Sequence, residues 1–258
     1  VAPDAHYEHP RLAAVYDALD PDRSDLLPYL ALVEELGARR VLDIGCGTGV
    51  LARLLADRGL EVTGLDPAAG SLAVAAAGAG AERVRWLHGD ARSLAGAVPR
   101  VVVDLVVMTG NAAQAVVDDD EWAALLRVAH DALVPGGTFA FETRVPEARA
   151  WEGWTREATD TTHHLPGVGE VRTWSDVLDV SGPPASPTVV FEQVFTFADD
   201  GEVLRSRSVL RFRSCEQVTA ALVEAGLELV EVRGAPDRPG LELVPLARRP
   251  LRERAEGL

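Results

Sequence analysis

The sequence predicts an α/β fold: a doubly wound, seven-stranded, mostly parallel sheet with an antiparallel β insertion after strand 5. Three observations carry that expectation. From about residue 40 to 143, short β-branched runs alternate with helical patterns, the grammar of a parallel sheet with helices on both faces. One of those runs, Val101 to Val107, is apolar except for Asp104, as a central strand buried on both faces should be. Beyond 144 the pattern changes to alternating stretches separated by turn residues, which suits antiparallel strands.

Residues 1–38 read as an N-terminal helical cap: one or two helices between His9 and Gly37, interrupted by Asp20-Pro21-Asp22 and by Pro28. Residues 39–143 form the core. Val41–Ile44, Glu61–Leu65 and Val84–Leu87 are its first strands, with helices at Val50–Asp57 and Ala68–Ala77 between them. After the central strand, Asp118–Leu133 is a helix whose first turn is acidic, where the helix dipole favours negative charge. Pro135-Gly136-Gly137 breaks it, and Thr138–Glu142 is the fifth strand. Residues 144–213 are the insertion, of about three strands: Val171–Val177, Thr188–Phe197 and Val203–Phe212. The proline-rich Ser181–Pro187 joins the first two, and the turn Asp199-Asp200-Gly201 joins the last two. Residues 214–258 complete the core with a helix from Ser214 to Ala225, in which Gln217 can complete a capping box with Ser214. Gly226 ends it. Strands Leu227–Val232 and Leu241–Leu246 follow, then a frayed tail.

Composition narrows the function. Hydrophobic residues make up 47% of the chain and charged residues 25%, ordinary for a globular protein. The formal net charge is -15. Nucleic-acid affinity comes largely from cations neutralising phosphates, so no nucleic-acid partner is expected, nor an anionic membrane. The one weak arginine cluster is Arg248, Arg249, Arg252 and Arg254. The chain contains no lysine, which excludes lysine Schiff-base chemistry. Two cysteines, Cys46 and Cys215, far apart and without ligand spacing, provide no disulfide framework and no metal site. Together with an N-terminal stretch lacking an apolar signal core, they point to the cytoplasm.

The segment Val41-Leu-Asp-Ile-Gly-Cys-Gly-Thr-Gly49 is a strand running into a glycine-rich turn that opens a helix. Glycines let such a turn bend sharply and let a ligand lie against the backbone. Asp66 ends the next strand, nineteen residues after Gly47, where a carboxylate can accept both hydroxyls of a ribose. The strict dinucleotide fingerprint requires glycine where Val50 stands, so a nucleoside without phosphates is favoured over a pyrophosphate.

With these residues the sequence resembles the class I SAM-dependent methyltransferases of small-molecule type, a Rossmann-like family whose donor is S-adenosylmethionine (SAM) and whose product is S-adenosylhomocysteine. The resemblance continues through Leu65-Asp66-Pro67, His88-Gly89-Asp90-Ala91, Asp104-Leu-Val-Val-Met108 and Leu133-Val-Pro-Gly-Gly137, over roughly residues 10 to 145. It implies that Gly45 and Gly47, with Cys46 between them, lie against the methionine part of SAM. It places Asp66, followed by Pro67, on the ribose, and Gly89, Asp90 and Ala91 at the adenine. Asp43 acts near the amino group, and Met108 and Thr109 line the pocket. Tyr16 resembles an N-terminal lid tyrosine.

Methyl transfer from a sulfonium needs mainly alignment of the nucleophile and exclusion of water, so sequence says little about the acceptor. Candidates to bind it are Asn111 and Gln114 after the fourth strand, Arg144 after the fifth, and Trp151 in the insertion, with Trp154 and Trp174 nearby. Arg144 can clamp a substrate carboxylate or pair with Glu142; Asn111 can bind a ligand or cap a helix. His163 and His164 are the candidates for a general base, an unperturbed imidazole pKa of about 6.5 suiting that task. The Asp118-Asp119-Asp120 run reads as a helix start, and no metal site is expected. The expected function is O- or N-methylation of a small molecule by direct displacement. Alternatives are a SAM-binding enzyme of rearrangement or cyclisation and a nucleoside-binding module without chemistry; an NAD-dependent oxidoreductase is a further rival. The insertion suits a substrate lid or a homodimer contact equally.

Overall fold

In the computed structural model, which describes residues 2–96 and 99–251, three helices precede the sheet: α1 (Ala5–Glu8), α2 (Pro10–Leu19) and α3 (Leu27–Leu36). Pro10 opens α2, where its missing N–H breaks no helical bond. Gly37 ends α3 in the left-handed conformation, its N–H donating to Glu34 O. The four-residue α1 lies ahead of the segment in which helix is expected.

The core follows as β1 (Arg40–Ile44), α4 (Val50–Asp57), β2 (Glu61–Asp66), α5 (Ala69–Ala77), β3 (Val84–His88), β4 (Val103–Met108), α6 (Ala112–Ala115), α7 (Asp119–Ala132) and β5 (Leu133–Phe141). A two-residue β6 (Thr143–Arg144) leads to the insertion: α8 (Arg156–Thr159), β7 (Thr161–Leu165), β8 (Gly169–Ser181), β9 (Thr188–Phe197) and β10 (Val203–Arg211). Then α9 (Cys215–Glu224), β11 (Glu228–Gly234) and β12 (Glu242–Arg248) return to the core. Ser214 and Gln217 form the expected capping box on α9. Asp118 caps α7, its side chain accepting Glu121 N–H, so the acidic run is a helix start.

The main sheet has the order β11-β12-β5-β4-β1-β2-β3, with β6 paired to β12. Strands β1 to β5 are parallel, and β12 is antiparallel to its neighbours. This is the Rossmann-like, mostly parallel architecture with antiparallel additions that the sequence predicts. The strand order reverses between β1 and β4, which opens a crevice above their carboxyl ends. The pleat sorts the core into two layers. Leu42, Val106 and Phe139 pack on one face with Trp122 and Leu126 of α7. Val41, Leu105 and Ala140 pack on the other with Leu30 of α3 and Leu55 of α4. Phe139 is fully buried and stacks on Phe141 at 4.8 Å. Phe139→Ala is expected to lower stability by about 3–5 kcal/mol, measured by urea unfolding.

Asp104, the one acid in the central run, accepts the N–H groups of Arg39 and Arg40 and pairs with the Arg40 guanidinium at 2.6 Å. It sits at the end of the sheet opposite the crevice.

Three expectations are corrected. The small sheet has four strands, in the order β10-β9-β8-β7. Its extra strand, β7, is Thr-Thr-His-His-Leu with only Leu165 buried, so it carries no alternating apolar signal. Pro135-Gly136-Gly137 does not separate α7 from its strand. β5 begins at Leu133 opposite Val103, and the register then jumps to Thr138 opposite Leu105; the Pro-Gly-Gly segment absorbs the mismatch as an irregularity inside the strand. Finally, β4 starts at Val103 rather than Val101. Arg252, Arg254 and the expected frayed tail lie outside the described residues. Among the described residues no helix is long and apolar enough to cross a membrane.

Candidate active site

β1 ends at Ile44, and the chain turns through Gly45 to Gly49 before α4 begins. All three glycines of the turn have positive φ, and two of them, Gly45 and Gly47, border the cavity. Gly45 has φ +72°, and a Cβ there would stand 2.8 Å from the Ala112 Cβ, so a side chain would collide with α6. Gly47 has φ +54°, with nothing within 4 Å of a Cβ built on it. It presents bare backbone to open space in a conformation that other residues rarely adopt. The N–H groups of Gly45 and Cys46 donate to Leu65 O at 2.8 and 3.2 Å, tying the turn to the end of β2. Burial pushes the Cys46 thiol well above its ordinary pKa, so it is protonated and unreactive.

Asp66 closes β2. Its Oδ2 accepts Gly47 N–H and its Oδ1 accepts Ala68 N–H, both at 2.8 Å. A carboxylate has about four lone-pair sites, so each oxygen retains capacity for a ligand. Burial raises the Asp66 pKa, against the two backbone bonds. Asp43 lies one strand away, 1% exposed. Its Oδ1 has no hydrogen-bond partner among the described residues. Burial and the charge of Asp66 push its pKa up to about 7. A buried carboxylate with an orphaned oxygen is costly, and a donor or cation beside it would relieve that cost.

These groups open on one cavity of about 1190 Å³, beyond the usual range of about 300–1,000 Å³ for one small-molecule site. Gly89, Asp90 and Ala91 after β3 also line it, as do Met108 and Thr109 after β4. Arg92 binds Asp90 Oδ2 at 2.6 Å, and that bond holds the Asp90 carboxyl below its ordinary range.

The N-terminal helices strap across the cavity. Glu8 Oε2 accepts Ala69 N–H at 2.8 Å, and Ser71 Oγ donates to Tyr7 O at 3.0 Å, fastening α1 to α5. His6 N–H donates to Ser206 Oγ of β10 at 2.8 Å, and Thr48 Oγ1 donates to Asp17 Oδ1 at 2.7 Å. The rings of His6, Tyr7 and Tyr16 cluster with Phe195 of β9, at centroid distances of 4.8 to 5.7 Å. Burial lowers the His6 pKa to about 4, against a hydrogen bond with Gln193, so its ring is neutral at pH 7.

The small sheet turns one face to the cavity: Ser175 on β8, Phe191 and Gln193 on β9, Ser208 on β10. The registers Ser175↔Gln193 and Phe191↔Ser208 put these residues side by side. At the ends of β5 and β12, Glu142 accepts the Tyr29 hydroxyl at 2.8 Å and Asn111 N–H at 3.2 Å. Asn111 Nδ2 donates to Glu242 Oε1 at 2.9 Å.

Residues 41–137 match the family model described as a methyltransferase domain. An uncharacterized methyltransferase of Mycobacterium tuberculosis is 39% identical over 110 residues, 43% of this chain and 53% of that protein. A ubiquinone biosynthesis O-methyltransferase of Ruegeria pomeroyi is 40% identical over 101 residues, 38% of each chain. The matches span from 19% to 53% of the length of the first of these curated relatives. Among solved structures, the CcbJ methyltransferase from Streptomyces caelestis superposes with a TM-score of 0.72 at 23% identity, over 93% of this chain and 96% of that one. A SAM-bound amino pentose methyltransferase from Micromonospora echinaspora gives 0.65 at 23% identity, over 91% and 96%. The fold is therefore that of the class I SAM-dependent methyltransferases over nearly the whole chain.

All the residues expected at a cofactor border this one cavity: Tyr16, Asp43, Gly45, Cys46, Gly47 and Asp66, and likewise Pro67, Gly89, Asp90, Ala91, Met108 and Thr109. Asn111 and Arg144 border it too. The other expected residues do not. Gln114 is buried behind Arg144, accepting its Nη1–H at 2.9 Å. Trp151 packs edge-on against Phe212 at 4.7 Å in a small core with Val189, and Trp154 reaches the cavity in its place. His163 and His164 are on β7, the far edge of the small sheet, where His163 Nε2 meets Thr173 Oγ1 at 3.3 Å. The cavity-facing residues of that sheet belong to β8, β9 and β10, so neither histidine is placed as a base. Sequence reasoning missed His6, Tyr7, Gln193, Ser208, Arg238 and Glu242. One signal was present: in Leu204-Arg-Ser-Arg-Ser-Val-Leu210 the serines occupy the buried phase of the alternation, and small polar residues on a buried strand face ask for a polar partner.

Proposed function

We propose that the chain is a SAM-dependent methyltransferase that acts on a small molecule enclosed between the carboxyl ends of the main sheet and the inner face of the β insertion. The observation that carries this reading is the orphaned Asp43 carboxylate beside Asp66 and the bare Gly47 backbone. Two carboxylates and a glycine turn on one wall suit a ligand with a cationic amino group and a ribose, and disfavour a pyrophosphate. Asp66 would hold the ribose hydroxyls through its remaining lone pairs, and Asp43 would face the amino group. Ala91 and Asp90 would meet the adenine, Asp90 sharing its charge with Arg92. When bound, SAM supplies an activated methyl group on a sulfonium. The chain's own part is to orient the acceptor and exclude water. Tyr7, Tyr16 and the strap formed by α1 close one side; Phe191, Gln193 and Ser208 close another. The acceptor atom is oxygen or nitrogen.

The test is to incubate the protein with methyl-labelled SAM and a panel of amino sugars, phenols and aromatic amines. Label transferred to an acceptor, with equimolar S-adenosylhomocysteine, is the expected result. Bound SAM that yields no S-adenosylhomocysteine with any acceptor counts against transfer.

A further inference from the structure

We infer that the acceptor carries a carboxylate, received by the free edge of the Arg144 guanidinium; this rests on the methyltransferase reading above. Arg144 lies on β6, with its side chain 19% exposed, and borders the cavity. A guanidinium has five N–H donors. Nη1 donates to Gln114 Oε1 at 2.9 Å, and Nε faces Glu242 Oε1 at 3.3 Å. Among the described residues no acceptor is found for Nη2.

The counter-charge of Arg144 is shared. The same Glu242 oxygen accepts from Arg238 Nη1 at 2.8 Å and from Asn111 Nδ2 at 2.9 Å. Glu142 is taken up by Tyr29 and Asn111 and forms no ion pair with Arg144. A mostly buried guanidinium with a fraction of one partner is under-neutralised, and burial accordingly lowers the Arg144 pKa. An anion in the cavity would complete it.

The side chain is also held in one plane. Gln114, 1% exposed, fixes one nitrogen, and the ring of Trp154 lies 5.3 Å from the guanidinium carbon. A planar fork in fixed orientation matches the two oxygens of a carboxylate. A phosphate fits less well. Its second charge would meet Glu242 on the same cavity wall, and Arg238, the neighbouring cation, is already engaged with that carboxylate at 2.8 Å.

The test is calorimetry on protein saturated with S-adenosylhomocysteine. The probes are 4-hydroxybenzoate and indole-3-acetate, their primary amides, and phenyl phosphate. The acids should bind at least about tenfold more tightly than their amides and more tightly than the phosphate. In Arg144→Gln that preference should vanish while S-adenosylhomocysteine affinity stays within twofold of wild type. Arg144→Lys, which keeps the charge but loses the fork, should retain a severalfold smaller preference, and it decides the matter if the glutamine variant does not fold. Equal binding of acids and amides, no binding of either acid, tighter binding of the phosphate, or a preference that survives in both variants overturns the inference. Failure of wild-type protein to bind S-adenosylhomocysteine is a different result, and it strikes the cofactor site instead.

Discussion

Asp66→Ala is expected to weaken S-adenosylhomocysteine binding by at least about a hundredfold, because two charge-assisted hydrogen bonds to the ribose disappear, each contributing about 1.5–3 kcal/mol. The substitution also removes the acceptor for Gly47 N–H and Ala68 N–H, so the glycine turn loses its tie to β2. Asp66→Asn separates the two effects. It keeps an oxygen for one backbone amide and gives up the charge, so it should bind more weakly than wild type and better than alanine. Calorimetry measures both, with thermal unfolding as the control for folding. Affinity in Asp66→Ala within threefold of wild type would remove Asp66 from the ligand.

Asp43→Asn should act in opposite directions on the free and the bound protein. The Asp43 pKa rises from 3.8 to about 7 on folding. Below the unfolded value both states are protonated, and the group contributes nothing. Between there and pH 7 the folded state keeps a proton that the unfolded state has lost, so stability falls as pH rises. Above pH 7 the full cost is at most about 4 kcal/mol. Asparagine cannot ionise. The ligand-free variant should therefore be more stable than wild type by up to that amount at pH 8, with the gain fading toward pH 4. A cationic amino group stabilises the ionised carboxylate, so wild-type affinity for S-adenosylhomocysteine should increase as pH rises toward 7 and exceed that of the variant. Melting curves and titrations from pH 5.5 to 8.5 report both. A variant that binds as tightly as wild type at pH 8 contradicts the role given to Asp43.

What was legible in the sequence was local. The strand, turn and helix from Val41 to Asp57 appear at almost the expected residues because their signals, β-branched runs, glycines and a 3.6-residue period, act within a few positions. Most residues proposed to hold the cofactor were readable for the same reason: Gly45 to Gly47, Asp66, Gly89 to Ala91 and Met108 to Thr109 lie at or just after recognisable strand ends. The acceptor side depends on contacts between distant segments. For Arg144 the sequence left open a clamp on a substrate carboxylate or a pair with Glu142 two residues away; in the fold its ion-pair partner is Glu242, across the β6–β12 pairing. His6 reaches the cavity because α1 bonds to both α5 and β10, and a four-residue helix has no periodicity to announce it. His163 and His164 drew attention as residue types, yet β7 is polar and its place at the sheet edge follows from pairing with β8, which local pattern does not encode.

The central claim is that the turn after β1, with Asp43 and Asp66 beside it, forms a slot for an adenosyl ligand bearing an amino acid. Parallel calorimetric titrations of wild-type protein with S-adenosylhomocysteine and with NAD test it most directly. The account predicts saturable one-to-one heat with S-adenosylhomocysteine and little with NAD. Folded protein that gives no heat with S-adenosylhomocysteine, or that prefers NAD, would contradict it.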